Sequence, residues 1–378
     1  MSTMTYMETL LDGVEVEWST LGNDRYIEIA NRGRKPVKAS FRQPGEIPYF
    51  GANNIQDYVE GYTHDGTFVL IAEDGSASLE NYSIQYVTGK FWANNHVHVV
   101  RGKSGLNTRF LLHYLCVVNF IPYLSGGGRA KLTKGKMLQI PIPIPCPNNP
   151  EKSLEIQSEI VRILDTFTEL TAELTAELTA RKKQYSYYRD QLLSFEEGEV
   201  EWKMLGEAIK LQRGRRLVKS QLKVSGSYAV YQNSMTPLGY HSDSNVQADT
   251  AFVICAGAAG EIGYSNVDFW AADDVHYLIT PKNIESKFAY YFLLTQQHKI
   301  MGQVRRASVP RLAKSAIERL DFPVPTIQEQ TRIVFILDKF DTLTHSISEG
   351  LPREIELRQK QYEYYRDLLL SFPKPETV

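Results

Sequence analysis

The sequence predicts an α+β protein in which two repeated β-rich domains are separated by an antiparallel pair of long helices, related by a pseudo-two-fold axis. Three observations support this fold class. Segments of the first half recur about 180 residues later. Each half contains short β-type runs between Gly- and Asn-rich turns. Each half also ends in a long stretch of apolar residues at helical spacing.

The duplication is clearest in two pairs of segments. Residues 15–18 (EVEW) return at 199–202, each followed two residues later by Leu-Gly. Residues 181–195 return at 358–372 with 12 of 15 positions identical. The shorter FWA motif at 91–93 returns at 269–271. A period this long indicates duplication of a whole domain-plus-helix unit and not a solenoid.

Each half has the same predicted order of elements. Strands come first and include residues 67–72 and 251–256. A short amphipathic helix follows, near 109–119 in the first half and 287–297 in the second. A proline-rich exit then leads out of each domain, at 140–145 and 322–325. Because prolines at alternate positions cannot be helical, we interpret these exits as extended spacers.

A long helix is predicted after each exit. Apolar positions spaced by three and four run from Ile160 to Phe195, which gives a helix of ~54 Å at ~1.5 Å per residue. A helix of this length needs a partner, and its own repeat at 332–372 is the obvious one. Gly350 and Pro352 predict a break in that second copy. The predicted boundaries are a first domain at 1–150, a first spacer helix at 151–198, a second domain at 199–325 and a second spacer helix at 326–378.

Composition excludes several classes of protein. The chain has 378 residues, a net charge of −2 and three cysteines without close spacing, which argues against a disulfide framework or a thiolate metal site. Residues 1–12 lack the basic start and apolar run of a secretory signal. No stretch approaches the roughly 20 apolar residues of a membrane helix. We therefore expect a cytoplasmic protein.

Four basic clusters occupy matching places in the two halves. A single cluster is more simply explained as a solvated charged face. Two clusters that recur at matching places in the second half of a slightly acidic chain favour DNA contact. The first pair contains Arg32, Arg34, Lys35, Lys38 and Arg42 in one half, and Arg213, Arg215, Arg216, Lys219 and Lys223 in the other. The second pair contains Arg129, Lys131, Lys134 and Lys136, and later Arg305, Arg306, Arg311 and Lys314.

Candidate catalytic motifs fail on inspection. Gly135-Lys136 lacks the upstream glycine and the following Ser or Thr of a phosphate-binding loop. Residues 201–203 have the carboxylate-x-lysine form found in nucleases, but the repeat at 17–19 lacks the lysine, so a strand start is the simpler interpretation. His98 and His276 recur without a second ligand at metal-binding spacing. The sequence therefore predicts no catalytic residue, no metal site and no cofactor bound by this chain.

The same order of elements characterises a known family. The chain resembles, over essentially its whole length, the specificity subunit of type I restriction-modification systems. The features that carry the resemblance are the duplicated domain, the Pro-x-Pro exits, the Ile-Gln pairs at 156–157 and 327–328, the repeated helix end and the Thr-Ala-Glu-Leu array at 171–178. The array is similar to that of the subset in which repeat number sets target spacing.

This resemblance implies functions and partners. The two domains would be target-recognition domains, and the halves diverge at 50–90 and 229–268, so the bipartite DNA target would be asymmetric. Two methyltransferase subunits would dock on the helices and two ATP-driven restriction subunits would join them. S-adenosylmethionine, ATP and Mg would then serve those partners. Helix tyrosines mostly predict packing, and some predict subunit docking: Tyr187, Tyr188, Tyr364 and Tyr365. The alternatives are an enzyme with an unrecognised active site and a coiled-coil scaffold or adaptor without DNA readout.

Overall fold

The computed structural model describes residues 13–126, 130–196, 198–306 and 308–373. The chain divides into two compact units. Unit 1 consists of residues 1–173 and 356–378, and unit 2 of residues 174–355. Each unit therefore combines one β-rich domain with helical segments from different parts of the chain, as the duplication predicts.

The elements follow a similar order in both halves, although β5 of the first half and α4 of the second have no counterpart among the described residues of the other half. In chain order the strands are β1 (Val16–Thr20), β2 (Ile27–Ile29), β3 (Pro44–Phe50), β4 (Ile55–Val59), β5 (His64–Asp65), β6 (Phe68–Ala72), β7 (Ile84–Val87), β8 (Lys90–Ala93), β9 (Val97–Gly102), β10 (Pro141–Pro145), β11 (Glu201–Met204), β12 (Lys210–Arg213), β13 (Tyr228–Tyr231), β14 (Gly239–His241), β15 (Thr250–Ile254), β16 (Ile262–Ser265), β17 (Trp270–Ala271), β18 (Val275–Ile279) and β19 (Asp321–Val324). The helices are α1 (Thr108–Leu115), α2 (Lys134–Met137), α3 (Pro150–Leu192), α4 (Leu205–Ala208), α5 (Ser286–Gly302), α6 (Lys314–Glu318), α7 (Ile327–His345) and α8 (Gly350–Leu370).

The sheets of the two units have corresponding strand orders, except that β5 adds a fourth strand to the second sheet of unit 1. Unit 1 contains the sheets β2-β9-β6-β7 and β4-β3-β8-β5, and unit 2 contains β12-β18-β15-β16 and β14-β13-β17. Strand β6 is buried on both faces: Val69 and Ile71 join the core around α1, whereas Phe68 and Leu70 join a second core with Phe91. Because side chains alternate along a strand, a strand buried on both faces reads as a continuous apolar run. The run at 67–72 was therefore a sound strand prediction.

The proline-rich exits are extended, as predicted, but they are paired strands, so their interpretation as spacers was wrong. In unit 1, β10 pairs antiparallel with β1 and sets Trp18 opposite Pro143. In unit 2, β19 pairs with β11 and sets Trp202 opposite Pro323. Each pair forms a two-stranded sheet, in which proline is tolerated because its missing N–H faces the unpaired edge. Ile142 and Ile144, which alternate with the prolines, are buried in the core.

Helix α3 begins ten residues earlier than its apolar spacing predicted. Pro150 occupies the first turn, where its missing N–H costs nothing, and Asn149 accepts a hydrogen bond from the backbone of Lys152 at 3.1 Å. The break predicted in the second copy is confirmed, since α7 ends at His345 and α8 begins at Gly350. Gly350 has φ +76°, and a Cβ there would lie 2.4 Å from the carbonyl oxygen of Thr342. Only glycine fits this position.

The repeated helix ends pack in the same way inside each unit. In unit 1 the rings of Phe167 and Tyr365 stack with centroids 5.2 Å apart. In unit 2 the equivalent rings of Phe340 and Tyr188 stack at 5.7 Å. Among the described residues, the structure contains no helix that is both long and apolar enough to cross a membrane.

Candidate nucleic-acid interface

The first basic cluster of unit 1 lies on two short 3₁₀ turns, Asn31–Gly33 and Ala39–Phe41. The side chains of Arg32, Lys35 and Lys38 are exposed. Arg34 is different: its side chain is only 19% exposed and its guanidinium donates to Glu73 at 2.6 Å. It also donates to the carbonyl of Val97 at 2.8 Å. Arg34 therefore holds the segment in place, while its neighbours face solvent.

The second basic cluster of unit 1 meets the first at Glu73. The ammonium of Lys131 lies 3.0 Å from one Glu73 oxygen, while Arg34 contacts the other. The backbone of Leu132 also donates to the Glu73 carbonyl at 2.7 Å. Lys134, at the start of α2, is exposed, and Arg129 lies outside the described residues. Two segments about 100 residues apart are thus brought together by one carboxylate.

The charge state of this junction follows from its surroundings. Burial raises the pKa of Glu73, but the hydrogen bonds from Arg34 and Lys131 outweigh it, so the net shift is downward and the carboxylate stays ionised. His98 is fully buried and 3.7 Å from Glu73, and burial lowers the pKa of its imidazole. Its ring nitrogens lie 2.8 Å from the carbonyl of Leu132 and 3.0 Å from the side chain of Asn31. These contacts give His98 a structural role.

In unit 2 the two clusters meet at a pair of consecutive aspartates. Arg213 donates to the carbonyl of Asp273 at 2.6 Å, and the guanidinium of Arg311 lies 4.0 Å from the carboxylate of Asp274. Arg305 and Arg311 are also paired through their backbones at 2.9 and 3.1 Å. The side chains of Arg213 and Arg311 remain 60% and 66% exposed.

Other basic residues of unit 2 add to this exposed face. Lys314 is paired with Glu318 at 2.7 Å on one turn of α6. No side-chain position is described for Lys219, although its backbone is part of a 3₁₀ turn. The exposed members of the two clusters are Arg213, Arg215, Arg216, Lys223, Arg305, Arg306, Arg311 and Lys314.

The repeated FWA motif positions the first cluster in both units. The indole N–H of Trp92 donates to the carbonyl of Lys35 at 2.7 Å, and that of Trp270 donates to the carbonyl of Arg215 at 3.0 Å. The sequence revealed this repeat but not its role. The basic segment RGR followed by Val-Lys, at 32–38 and 213–219, is repeated together with the FWA motif. This shared repetition is the feature of the sequence that could have indicated a contact between the two.

Cys255 and His276 form the one thiol–imidazole contact among the described residues. The Cys255 sulfur lies 2.8 Å from Nδ1 of His276. Burial raises the pKa of the thiol to about 12, so it stays protonated and is a poor nucleophile. Burial also lowers the pKa of the His276 imidazole. The pair therefore packs as part of the domain interior.

A buried glutamine in each unit connects the β-rich domain to its long helix. Gln157 accepts from the backbone N–H of Asn107 at 2.8 Å and donates to the carbonyl of Gly105 at 2.9 Å. In unit 2, Gln330 accepts from the backbone of Glu285 at 2.8 Å and donates to a carbonyl at 2.9 Å. Gln157 is the glutamine of the Ile-Gln pair at 156–157, whereas Gln330 lies two residues after the pair at 327–328, so the structurally equivalent glutamines are not those of the two Ile-Gln pairs.

An aspartate in each unit makes a second connection to the same short helix. Asp165 accepts from Arg109 at 2.9 Å and from His113 at 2.8 Å. In unit 2, Asp338 accepts from Lys287 at 2.8 Å and from the Tyr291 hydroxyl at 2.6 Å. The position is preserved by the duplication although its partners have changed, so in both units the long helix is joined to the β-rich domain at an equivalent aspartate.

The four candidate docking tyrosines divide into two kinds. Tyr365 and Tyr188 stack on phenylalanines of their own units, as described above. Tyr187 and Tyr364 are 61% and 57% exposed. The exposed pair occupies equivalent positions of the repeated helix end.

These features define a duplicated protein. Each unit combines exposed basic residues on a β-rich domain with a long helix that is hydrogen-bonded to that domain. The chain matches the type I restriction modification DNA specificity domain twice, at residues 15–181 and 197–357. It therefore belongs to the family of type I restriction-modification specificity subunits, and its two β-rich domains are target-recognition domains.

Similar proteins cover the whole chain. It is 47% identical to a putative type I restriction enzyme specificity subunit of Haemophilus influenzae, over 97% of this chain and 98% of the relative. It is 40% identical to the EcoR124I/EcoR124II specificity subunit of Escherichia coli, with both chains fully covered. The crystal structure of a type I S subunit from M. genitalium has the same fold, with a TM-score of 0.66 at 17% identity, and covers 96% of this chain and 98% of that one.

Proposed function

We propose that each unit binds one half of an asymmetric, bipartite DNA site through its exposed cations, and that the chain itself neither methylates nor cuts DNA. The observation that carries the proposal is the convergence of two cationic segments on one acidic junction in each unit, at Glu73 and at Asp273-Asp274. Lys and Arg groups of this kind contact phosphates, and an exposed arginine can also donate two hydrogen bonds to a guanine edge.

The acidic junctions explain how the cations keep a fixed arrangement. Like charges brought together repel, and a flexible lysine or arginine loses side-chain entropy when it binds a phosphate. Glu73 offsets part of this repulsion and holds Arg34 and Lys131 in one geometry. The exposed neighbours Lys35 and Lys38 then project from a rigid segment. Their placement and charge support a DNA-binding role for these residues.

The partners of the complex would contact the helices. We assign two methyltransferase subunits and two restriction subunits to it, with S-adenosylmethionine, ATP and Mg bound by those partners. Tyr187 and Tyr364 fit a docking role because they are exposed aromatic side chains at equivalent positions, and tyrosine is enriched at subunit interfaces. A DNA target would place the complex in the cytoplasm. A scaffold without DNA readout remains the alternative that the following experiment excludes.

The test replaces Arg305, Arg306 and Arg311 with alanine in the chain assembled with its methyltransferase partner. Each lost phosphate contact removes about 0.9 from the slope of log affinity against log salt, so the slope should fall by up to about three. The control replaces Lys152, Lys182 and Lys183, three exposed lysines of α3, and changes net charge equally. Equal slopes in the wild type and the arginine variant would show that this cluster is a solvated surface and does not contact DNA.

A second measurement addresses catalysis. The homogeneous chain, incubated with labelled S-adenosylmethionine and duplex DNA, should transfer no methyl group, whereas the assembled complex should. Methyl transfer by the chain alone would contradict the non-catalytic role.

A further inference from the structure

In each unit, the most exposed large hydrophobic side chain of the described residues lies on the same turn. Phe41 is 71% exposed in unit 1, and Val224 is 98% exposed in unit 2. Both turns start from a Val-Lys pair within the first basic cluster and run to a glycine, Gly45 or Gly226; Phe41 lies four residues after the valine of its pair, and Val224 six residues after. Exposure of single apolar residues is ordinary, but its maximum in the corresponding turn of two diverged domains is not.

The turn that carries Phe41 is rigid. The backbone of Phe41 donates to the carbonyl of Lys38 at 2.9 Å. Arg42 donates to the carbonyl of Val37 at 3.2 Å, and its guanidinium lies 4.2 Å from the centre of the Tyr49 ring and 3.3 Å from Asp57. Arg42 was grouped with the exposed cations by its sequence, but its side chain is only 15% exposed. It fastens the turn to β3 and β4, so the phenyl ring beside it is held outward.

The residues around Phe41 indicate which kind of partner binds over its exposed ring. The exposed cations Arg32, Lys35 and Lys38 belong to the same segment, which favours a polyanion over an apolar protein surface. A cavity of about 290 Å³ beside the ring is lined by Lys35, Tyr49 and Trp92 among others, which makes this face mixed aromatic and cationic. DNA offers that combination, because bases present apolar faces and methyl groups between charged phosphate strands.

We propose that Phe41 and Val224 are specificity-determining base contacts, one for each half of the target. The proposal rests on the DNA-binding function proposed above and names the residues that read sequence within it. The neighbouring cations hold the phosphates, and the apolar side chain of each turn enters a groove and contacts bases. Phenylalanine and valine differ in size and shape, which matches two units that recognise different half-sequences.

The experiment measures single variants in the assembled methyltransferase complex, with a duplex carrying the target mapped by methylation and duplexes with either half scrambled. Phe41→Ala should lower the ratio of specific to non-specific affinity by about 10- to 100-fold through one half only. Val224→Ala should do the same through the other half, so each variant controls for the other. Neither should change the salt slope, because neither side chain neutralises a phosphate.

Two further variants separate the possible outcomes. Phe41→Leu should keep much of the selectivity, whereas Phe41→Ser should lose it, because the contact requires apolar surface. Lys38→Ala should lower the salt slope and weaken specific and non-specific binding alike. Wild-type selectivity in Phe41→Ala and Val224→Ala, or loss through the same half in both, overturns the inference. If Lys38→Ala and the arginine triple variant also leave DNA affinity and its salt slope unchanged, the proposed function fails as well.

Discussion

Replacing Gln157 with methionine tests how the long helix is fixed to the domain of unit 1. The Gln157 side chain is fully buried, and its amide satisfies the backbone N–H of Asn107 and the carbonyl of Gly105. Methionine has a similar length and no equivalent groups. Each buried backbone group left without a partner costs about 1–3 kcal/mol. The two groups together cost about 2–6 kcal/mol and burial of the thioether returns about 1–2 kcal/mol, so the middle of these ranges gives a net loss of about 2.5 kcal/mol.

Calorimetry measures this loss as a lower unfolding temperature. For a unit of this size, about 2–4 °C is lost per kcal/mol, so the transition of unit 1 should shift down by roughly 5–10 °C. Gln359→Met, at an exposed position of α8 in the same unit, is the matched control and should stay within about 0.5 kcal/mol of wild type. Hydrogen exchange of α1 should also accelerate in the Gln157 variant alone. An unfolding temperature equal to that of the control would refute the assigned role of the buried amide.

Three further predictions concern acid stability, target spacing and docking. Burial holds the pKa of His98 below its usual 6.5, so the unfolded chain binds the proton first. The free energy of unfolding should therefore fall as pH drops below 6.5. The pKa of Glu73 is also lowered, so this group should extend the loss of stability below pH 4.5. A Thr-Ala-Glu-Leu insertion after Leu178 lengthens α3 by ~6 Å and rotates it by only about 40°, so the same half-sequences should be methylated with a longer gap. Alanine at Tyr187 and Tyr364 should weaken assembly with the methyltransferase without changing the unfolding temperature.

Each of these has its own control. His98→Asn should reduce the first step of the pH profile in calorimetry without removing it, because burial also lowers the pKa of His113 and of His276. A wild-type profile would contradict the assigned burial effect. A two-residue insertion after Leu178 misdirects the apolar stripe and should destabilise the protein, whereas an unchanged gap with the tetrapeptide would show that α3 does not set spacing. Co-purification measures docking, and full assembly of the double tyrosine variant would remove those residues from the interface.

Much of the fold could be predicted because its determinants are local. The break before α8 follows from Gly350, whose left-handed backbone and close contact with a carbonyl exclude other residues. The continuous run in β6 follows from burial on both faces. The exit strand β10 was misread because its prolines argue against a strand in general, and only the position of its partner β1 makes it an edge strand.

The site was predicted by composition and not by geometry. Arg34 and Lys35 are adjacent in sequence, yet one is held by Glu73, 39 residues away, and the other is exposed. Arg42 is similarly engaged by Asp57 and Tyr49. No local pattern distinguishes an arginine held by an ion pair from an exposed one, because the carboxylate that accepts its hydrogen bonds comes from a distant part of the chain. The basic clusters were therefore recognised as groups, while the roles of their members required the structure.

The pairing of β1 with β10 has an evolutionary consequence. It sets the first and last strands of a recognition domain side by side, with Val16 opposite Pro145, and β11 and β19 do the same in unit 2. A domain whose two ends meet can be replaced as a block while the flanking chain keeps its course. A single genetic exchange between these strands would then give the protein a different recognition domain in that unit and leave the long helices unaltered.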